Sequence, residues 1–352
     1  MRRHLRRALR LSRGLPAAGC LPPRVDEDAP DRTAIIEAIL EVIEARYVYP
    51  DRAAEMNRAV RARLERGEYD PLSDAALADS LTAHLRAVSA DKHLGVAFVP
   101  DPPAVLPSDV EVPEALLRQA ADELRREQIG VETVEVLEGN VGLLDVRGFA
   151  PVDMPGASEA VAAAMDSLSR TDALIIDLRR NQGGEPGMVR LLASYLFGPE
   201  PVQLSSIYWR PEDRTEEFWT LRELPGARYG RERPVYVLTS SRTFSAGEAF
   251  AYDLKHLQRA TLVGEATAGG AHPGRIEPVA GHFNVLLPTG RAINPVTGTN
   301  WEGTGVEPDI AVDEEAALQA AHLAALRSIR ATPGGRLRRG EPERVIQRNG
   351  GE

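Results

Sequence analysis

Cysteine is almost missing: Cys20 is the only one in 352 residues. The chain therefore holds no internal disulfide, no cysteine-built zinc site and, beyond residue 20, no thiol nucleophile. Lysine is nearly as rare, with only Lys92 and Lys255, so the choice of a lysine base is narrow. Long apolar runs are absent too, and no stretch reaches the roughly 18–20 residues of a membrane helix, which excludes a spanning segment. Basic charge is in deficit. The formal charge is −10, and residues 1–25 carry seven arginines and no acid, so the remainder sums to −10 − 7 = −17. A body so acidic offers no basic face for nucleic acid. Composition is otherwise that of a folded globular protein, 43% hydrophobic and 27% charged, and the length suggests two domains.

Residues 1–29 read as a disordered basic leader. Ala17-Ala18-Gly19-Cys20 resembles the end of a lipoprotein signal, but Arg10, Arg13 and Gly14 interrupt the apolar stretch such a signal needs. The compartment stays open between cytoplasm and export. From Asp31, a candidate N-cap, apolar residues recur at helical spacing through Ile43; further periodic stretches carry Met56, Val60 and Leu64, then Leu77, Leu81, Leu85 and Val88. Residues 30–98 thus read as a helical bundle, and 99–130 as a proline-rich linker and one helix. Across 131–330 strands alternate with helices. The first pair, Val131 to Leu137 and Val141 to Val146, is a hairpin around Glu138-Gly139-Asn140; Ala173 to Leu178 and Val235 to Thr239 are continuous apolar strands between helices. Such strands imply a sheet covered on both faces and an α/β fold class. Residues 201–230, with Trp209 and Trp219, show little periodicity and read as a surface excursion, and 331–352 as a disordered tail.

Two turns could carry chemistry, each where an apolar strand runs into a helix. In Thr243-Phe244-Ser245-Ala246-Gly247-Glu248, Ser245 sits beside the free N–H groups of a helix start, where the Ala246 amide can stabilise an oxyanion; the alternative is that Ser245 merely caps the helix. In Asp177-Leu178-Arg179-Arg180-Asn181-Gln182-Gly183-Gly184 the paired glycines allow close backbone approach and a second donor, or simply make a tight connection. Of the seven histidines, His4 lies in the leader, His84 and His322 in helices remote from both turns. His256 lies about 16 Å along the helix that Ser245 opens, and His282 reads as a strand residue. His93 and His272 remain as bases, His272 on a loop able to line a cleft. No histidine pair has zinc-helix spacing, so no metal and no cofactor is expected.

Taken in order, Asp91-Lys92-His93-Leu94-Gly95-Val96, the two turns above, Gly264-Glu265-Ala266-Thr267-Ala268-Gly269-Gly270 and Glu302-Gly303-Thr304-Gly305-Val306-Glu307-Pro308-Asp309 resemble the S41 serine peptidases over residues 31–313. The likeness is to the branch of the interphotoreceptor retinoid-binding protein and the tricorn core. It implies a helical bundle followed by a ββα spiral domain of the ClpP and crotonase type. The segment 95–131 is too short for the PDZ module of the processing proteases. The resemblance further implies Ser245 as nucleophile, with Ala246 and Gly183 or Gly184 as oxyanion donors. The lysine base of the processing proteases is matched by Gly270, so the base passes to His93, with Glu302 as the orienting carboxylate. Tricorn's further serine, which links its histidine to the glutamate, has no match here; the residue before His93 is Lys92, and whether Glu302 meets His93 or pairs with Lys92 stays open. His272 is the accessory candidate. A peptide or protein substrate follows; the alternative is a non-catalytic module binding a retinoid, fatty acid or peptide in the same cleft.

Overall fold

In the computed structural model, the structure describes residues 31–100, 130–280 and 282–331. The readings of residues 1–29 as leader, of the linker and helix within 101–129, and of the tail beyond residue 331 lie outside the described residues. No helix among the described residues is long and apolar enough to cross a membrane.

The chain opens with helices α1 (Arg32–Arg46), α2 (Pro50–Glu65) and α3 (Asp74–Ser89), followed by strand β1 (Gly95–Phe98). Asp31 precedes α1 without making a side-chain cap, whereas Ser73 caps α3 through the amide of Ala76. Ile36, Ile39, Leu40 and Ile43 of α1 are fully buried against Met56, Val60, Leu77, Leu81 and Leu85. This core is completed from far along the chain. β1 pairs antiparallel with β10 (Phe283–Pro288), itself paired with β9 (Gly274–Val279), and Phe283, Val285 and Leu287 enter the bundle core.

A six-stranded sheet forms the main body, in the order β12 (Ile310–Ala311), β8 (Thr261–Gly264), β7 (Val235–Thr239), β4 (Ala173–Asp177), β3 (Val141–Val146) and β2 (Val131–Leu137). All neighbours are parallel except β2 with β3, the hairpin read from the sequence. The period-2 pleat sorts each central strand between two cores. Leu174, Ile176, Val235 and Val237 face α4 (Ala157–Leu168), α5 (Pro186–Tyr195) and α6 (Ala246–His256); Ala173, Ile175, Tyr236 and Leu238 face α7 (Ala317–Ala331). The expected α/β layering follows directly.

Residues 201–230 depart from the surface-excursion reading. They hold a hairpin, β5 (Gln203–Trp209) and β6 (Arg214–Trp219), that pairs through β5 with β11 (Gly290–Ile293) and buries Leu204 and Ile207. β6 is largely exposed outside this contact, which is why its pattern shows no clear apolar face. Likewise His282 is not a strand residue: it takes φ 65° in the turn ahead of β10.

Candidate active site

Adjacent parallel strands β4 and β7 end side by side, and the loops leaving them interlock. Phe244 N donates to Asn181 O at 3.0 Å, Thr243 Oγ1 to Leu178 O at 2.8 Å and Ser240 Oγ to Arg179 O at 2.6 Å. The two turns therefore meet at the carboxyl edge of the sheet, where open α/β sheets bind their ligands. Ser245 is held at φ 56° and ψ −119°, an uncommon conformation for a residue with a Cβ. Its amide is fixed by Glu248 Oε2 at 2.8 Å, and Glu248 is buried among further donors, Thr267 Oγ1 and the amides of Gly269 and Gly270. Burial raises the Glu248 pKa against the pull of those hydrogen bonds. One carboxyl thus locks the serine turn to the loop after β8.

His93 reaches this turn from the junction of α3 and β1. Its Nε2 lies 2.9 Å from Ser245 Oγ. Its ring stacks on Phe244, with centroids 4.4 Å apart and planes at 28°. Its backbone amide donates to Asp91 Oδ1 at 3.0 Å. Burial chiefly, with smaller contributions from His272 and Arg86 and against the Asp91 carboxylate, lowers the His93 pKa to about 4. The imidazole is therefore neutral at pH 7, and Nε2 is an acceptor for the serine proton. Its Nδ1 is buried with no partner among the described residues.

The carboxylates are arranged differently from the sequence reading. Glu302 does not meet the His93 side chain and does not pair with Lys92. Its Oε2 accepts from Ala271 N at 2.5 Å and lies 3.5 Å from His272 Nδ1. Lys92 is exposed and donates to Ala268 O. His272, expected on a loop, is only 5% exposed and gives Nδ1 to Asp91 Oδ2 at 2.8 Å. Asp91 Oδ2 also takes the Tyr47 hydroxyl at 3.0 Å. Burial would raise the Asp91 pKa, but the His272 hydrogen bond and the charges of His272 and His93 hold it below the usual carboxylate range. For Glu302 burial prevails, pushing it up to about 7. Asp91, His272 and Glu302 bring possible metal-ligand atoms within 4.8 Å of one another. The Asp91–His272 hydrogen bond and the 3.5 Å approach of Glu302 to the same His272 Nδ1 hold the three together. Asp91 was legible only as part of a motif; its function as the hub had no local signal.

Gly183 also needs correction. Its amide is taken by Asn181 Oδ1 at 2.8 Å, so it is not an oxyanion donor. What Gly183 supplies is room: a Cβ there would stand 2.7 Å from Ser245 Cβ. The amides of Gly184 and Ala246 have no acceptor among the described residues, and both residues line a cavity of about 500 Å³ together with His93 and Ser245. At Gly270 a Cβ would enter the Phe244 ring and stand 2.9 Å from His93 Cε1. Gly270→Ala is thus expected to displace His93 and slow labelling of Ser245 by a fluorophosphonate at least about ten-fold, by the sensitivity of proximity effects to small shifts. Unchanged labelling of the folded variant would refute that packing.

Two family models meet on this chain. Peptidase family S41 matches residues 140–312, and the N-terminal domain of peptidase S41 in eukaryotic IRBP matches residues 30–137. The chain belongs to peptidase family S41. A carboxy-terminal-processing protease from Bartonella bacilliformis is 29% identical over 199 residues, 54% of this chain and 43% of that protein, so less than half of the relative's length is matched. Among solved structures, a candidate peptidase from Parabacteroides merdae superposes with TM-score 0.58 at 18% identity over 84% of this chain and 96% of that one. The photosystem II D1 C-terminal processing protease superposes with TM-score 0.52 at 16% identity, over 87% and 99%. At such identities the likeness is one of fold: N-terminal helices followed by a mixed-sheet domain.

Proposed function

We propose that this S41 chain is a serine peptidase in which Ser245 is the nucleophile and His93 the general base. The 2.9 Å contact between His93 Nε2 and Ser245 Oγ carries the reading, because a helix-capping serine has no need of a neutral, stacked imidazole. Ser245 Oγ attacks the scissile carbonyl as its proton passes to His93 Nε2. The resulting oxyanion accepts from the amides of Ala246 and Gly184. Collapse breaks the C–N bond, His93 returns the proton to the leaving amine, and water then hydrolyses the acyl-serine by the reverse proton route. The Asp91 charge favours the imidazolium formed in between, since it raises the His93 pKa against burial. Glu302 acts at one remove, holding the backbone of Ala271 beside Gly270 and His93.

The direct test is a mixed peptide library digested by the wild type and by Ser245→Ala and read by mass spectrometry. Cleavage lost in the variant supports the reading; cleavage surviving in it refutes it. The match to the N-terminal domain of the retinoid-binding protein's S41 unit favours a second reading, a non-catalytic module for a retinoid, fatty acid or peptide. Absence of both cleavage and fluorophosphonate labelling in a folded wild type would turn to it.

The pH dependence has a definite sign. A His pKa lowered from 6.5 to about 4 keeps the base neutral well below the usual range. The acid limb of kcat/KM is accordingly expected near pH 4, and to stay there in Glu302→Gln, since Glu302 titrates about 7 without touching His93. In stability, His93 contributes a rise with pH between about 4 and 6.5, where the unfolded state binds more protons. Glu302 contributes a fall between 4.5 and about 7, where the folded state does. An acid limb near pH 6.5 would contradict the His93 environment.

A further inference from the structure

The cavity beside Ser245 runs along one face of α6. Ala246, Ala249 and Asp253, spaced three and four residues apart, all line it. Two turns of helix beyond Ser245, that lining includes an ionisable group that the proposed chemistry does not use. Asp253 is only 2% exposed. Its Oδ1 accepts from Asn294 Nδ2 at 3.0 Å, while Oδ2 is buried with no hydrogen-bond partner among the described residues. Burial pushes its pKa up to about 8, although side-chain hydrogen bonding from Asn294 and Ser205 favours the ionised form; neither partner carries a charge. A carboxyl in such a setting is destabilising unless something pairs with it, and an apolar residue of similar size would pack the same place without penalty.

We infer that Asp253 is the selectivity residue of the cleft, receiving the ammonium or guanidinium of a substrate lysine or arginine whose carbonyl lies at Ser245. This rests on the peptidase reading of Ser245. Three observations favour a cation. The lining carries Glu185, Glu216 and Asp253 against the single arginine Arg190, whose Nε is committed to Trp219 O. The same lining includes Leu204, Ile207, Phe218 and Trp301, suited to the methylene stem of a long basic side chain. The reach also fits: eight residues of helix from Ser245 to Asp253 span about 12 Å at 1.5 Å per residue, about the distance from an attacked carbonyl to the far side of an extended lysine's ion pair. An acid at the base of such a pocket selects basic side chains in serine peptidases of unrelated fold.

The test pairs lysine with norleucine, which keeps the stem and drops the charge. In peptides differing only at the residue before the scissile bond, the wild type is expected to cleave after lysine with kcat/KM at least ten-fold above norleucine. Asp253→Asn is expected to bring the two within about three-fold, by losing the lysine advantage. Cleavage without a lysine preference would overturn the assignment. Binding gives an arm free of catalysis: the full-length Ser245→Ala chain is titrated calorimetrically with acetyl-Ala-Ala-Lys-amide and its norleucine counterpart. Ten-fold tighter binding of the lysine peptide supports Asp253 even if the wild type cuts nothing, in which case only the peptidase reading falls. Equal binding overturns the Asp253 assignment whether or not peptides are cut, and it needs no substitution at Asp253 to be read.

Discussion

Replacing Ser245 or His93 by alanine is expected to lower kcat by roughly 10⁴ to 10⁶ each, and the double replacement is expected to lower it no further. The reason lies in the single bond they share. His93 Nε2 at 2.9 Å from Ser245 Oγ makes the two one proton-transfer unit, so losing either removes the whole of its effect. The fold should persist. Ser245 is half-buried, and the part of the α6 capping box that does not use its hydroxyl, the Glu248 carboxyl on the Ser245 amide, survives the replacement. The residual rate would come from the Ala246 and Gly184 amides and from substrate binding. Additive losses in the double variant, or more than a tenth of wild-type kcat in His93→Ala, would show that another base operates; His272 is then excluded as a direct base only if His272→Ala remains active.

Asp91→Ala is expected to have the largest effect on stability. The Asp91 carboxylate takes three donors: the His93 amide, His272 Nδ1 and the Tyr47 hydroxyl, which burial and the same carboxylate keep firmly protonated. Removing it strands buried donors from three separate segments, and breaking a buried charged network in this way costs about 3–5 kcal/mol. His93 loses the bond that sets its backbone, so kcat should fall as well, by about 10² on the scale of a 1 Å misplacement. Asp91→Asn, which retains acceptor oxygen and shape, should recover part of the stability. The pH sign separates this from a packing defect. The folded Asp91 pKa is depressed, so its contribution is present above the unfolded value of 3.8 and is lost as pH falls through the folded one. Urea midpoints of wild type and Asp91→Ala should therefore converge in acid. A gap unchanged at low pH would mean that cavity formation, not the carboxylate, accounts for the loss.

Much of this architecture is written locally. The apolar runs of β4 and β7 and the 3.6-residue period of α1 to α3 mark buried strands and a bundle, because burial on two faces or one stripe dictates which positions are apolar. The serine and glycine turns were placed for the same reason, each at a strand end opening a helix. The β5–β6 hairpin escaped notice because one of its strands is mostly exposed and has no apolar face to display. Gly183 and Gly184 could not be told apart as donors, since which amide is free depends on where Asn181 folds back.

The amino-acid order by itself determined the layered α/β body, the bundle and the serine and glycine turns, and narrowed the histidines able to meet Ser245 to His93 and His272. Tertiary structure alone decided which carboxylate holds which histidine. The Asp91–His272 bond joins residues 181 apart, and it exists because β1 pairs with β10 and carries the end of α3 onto the loop after β8. Hydrophobic periodicity reports only which way a side chain faces. It says nothing of the partner that a distant strand pairing brings within 3 Å.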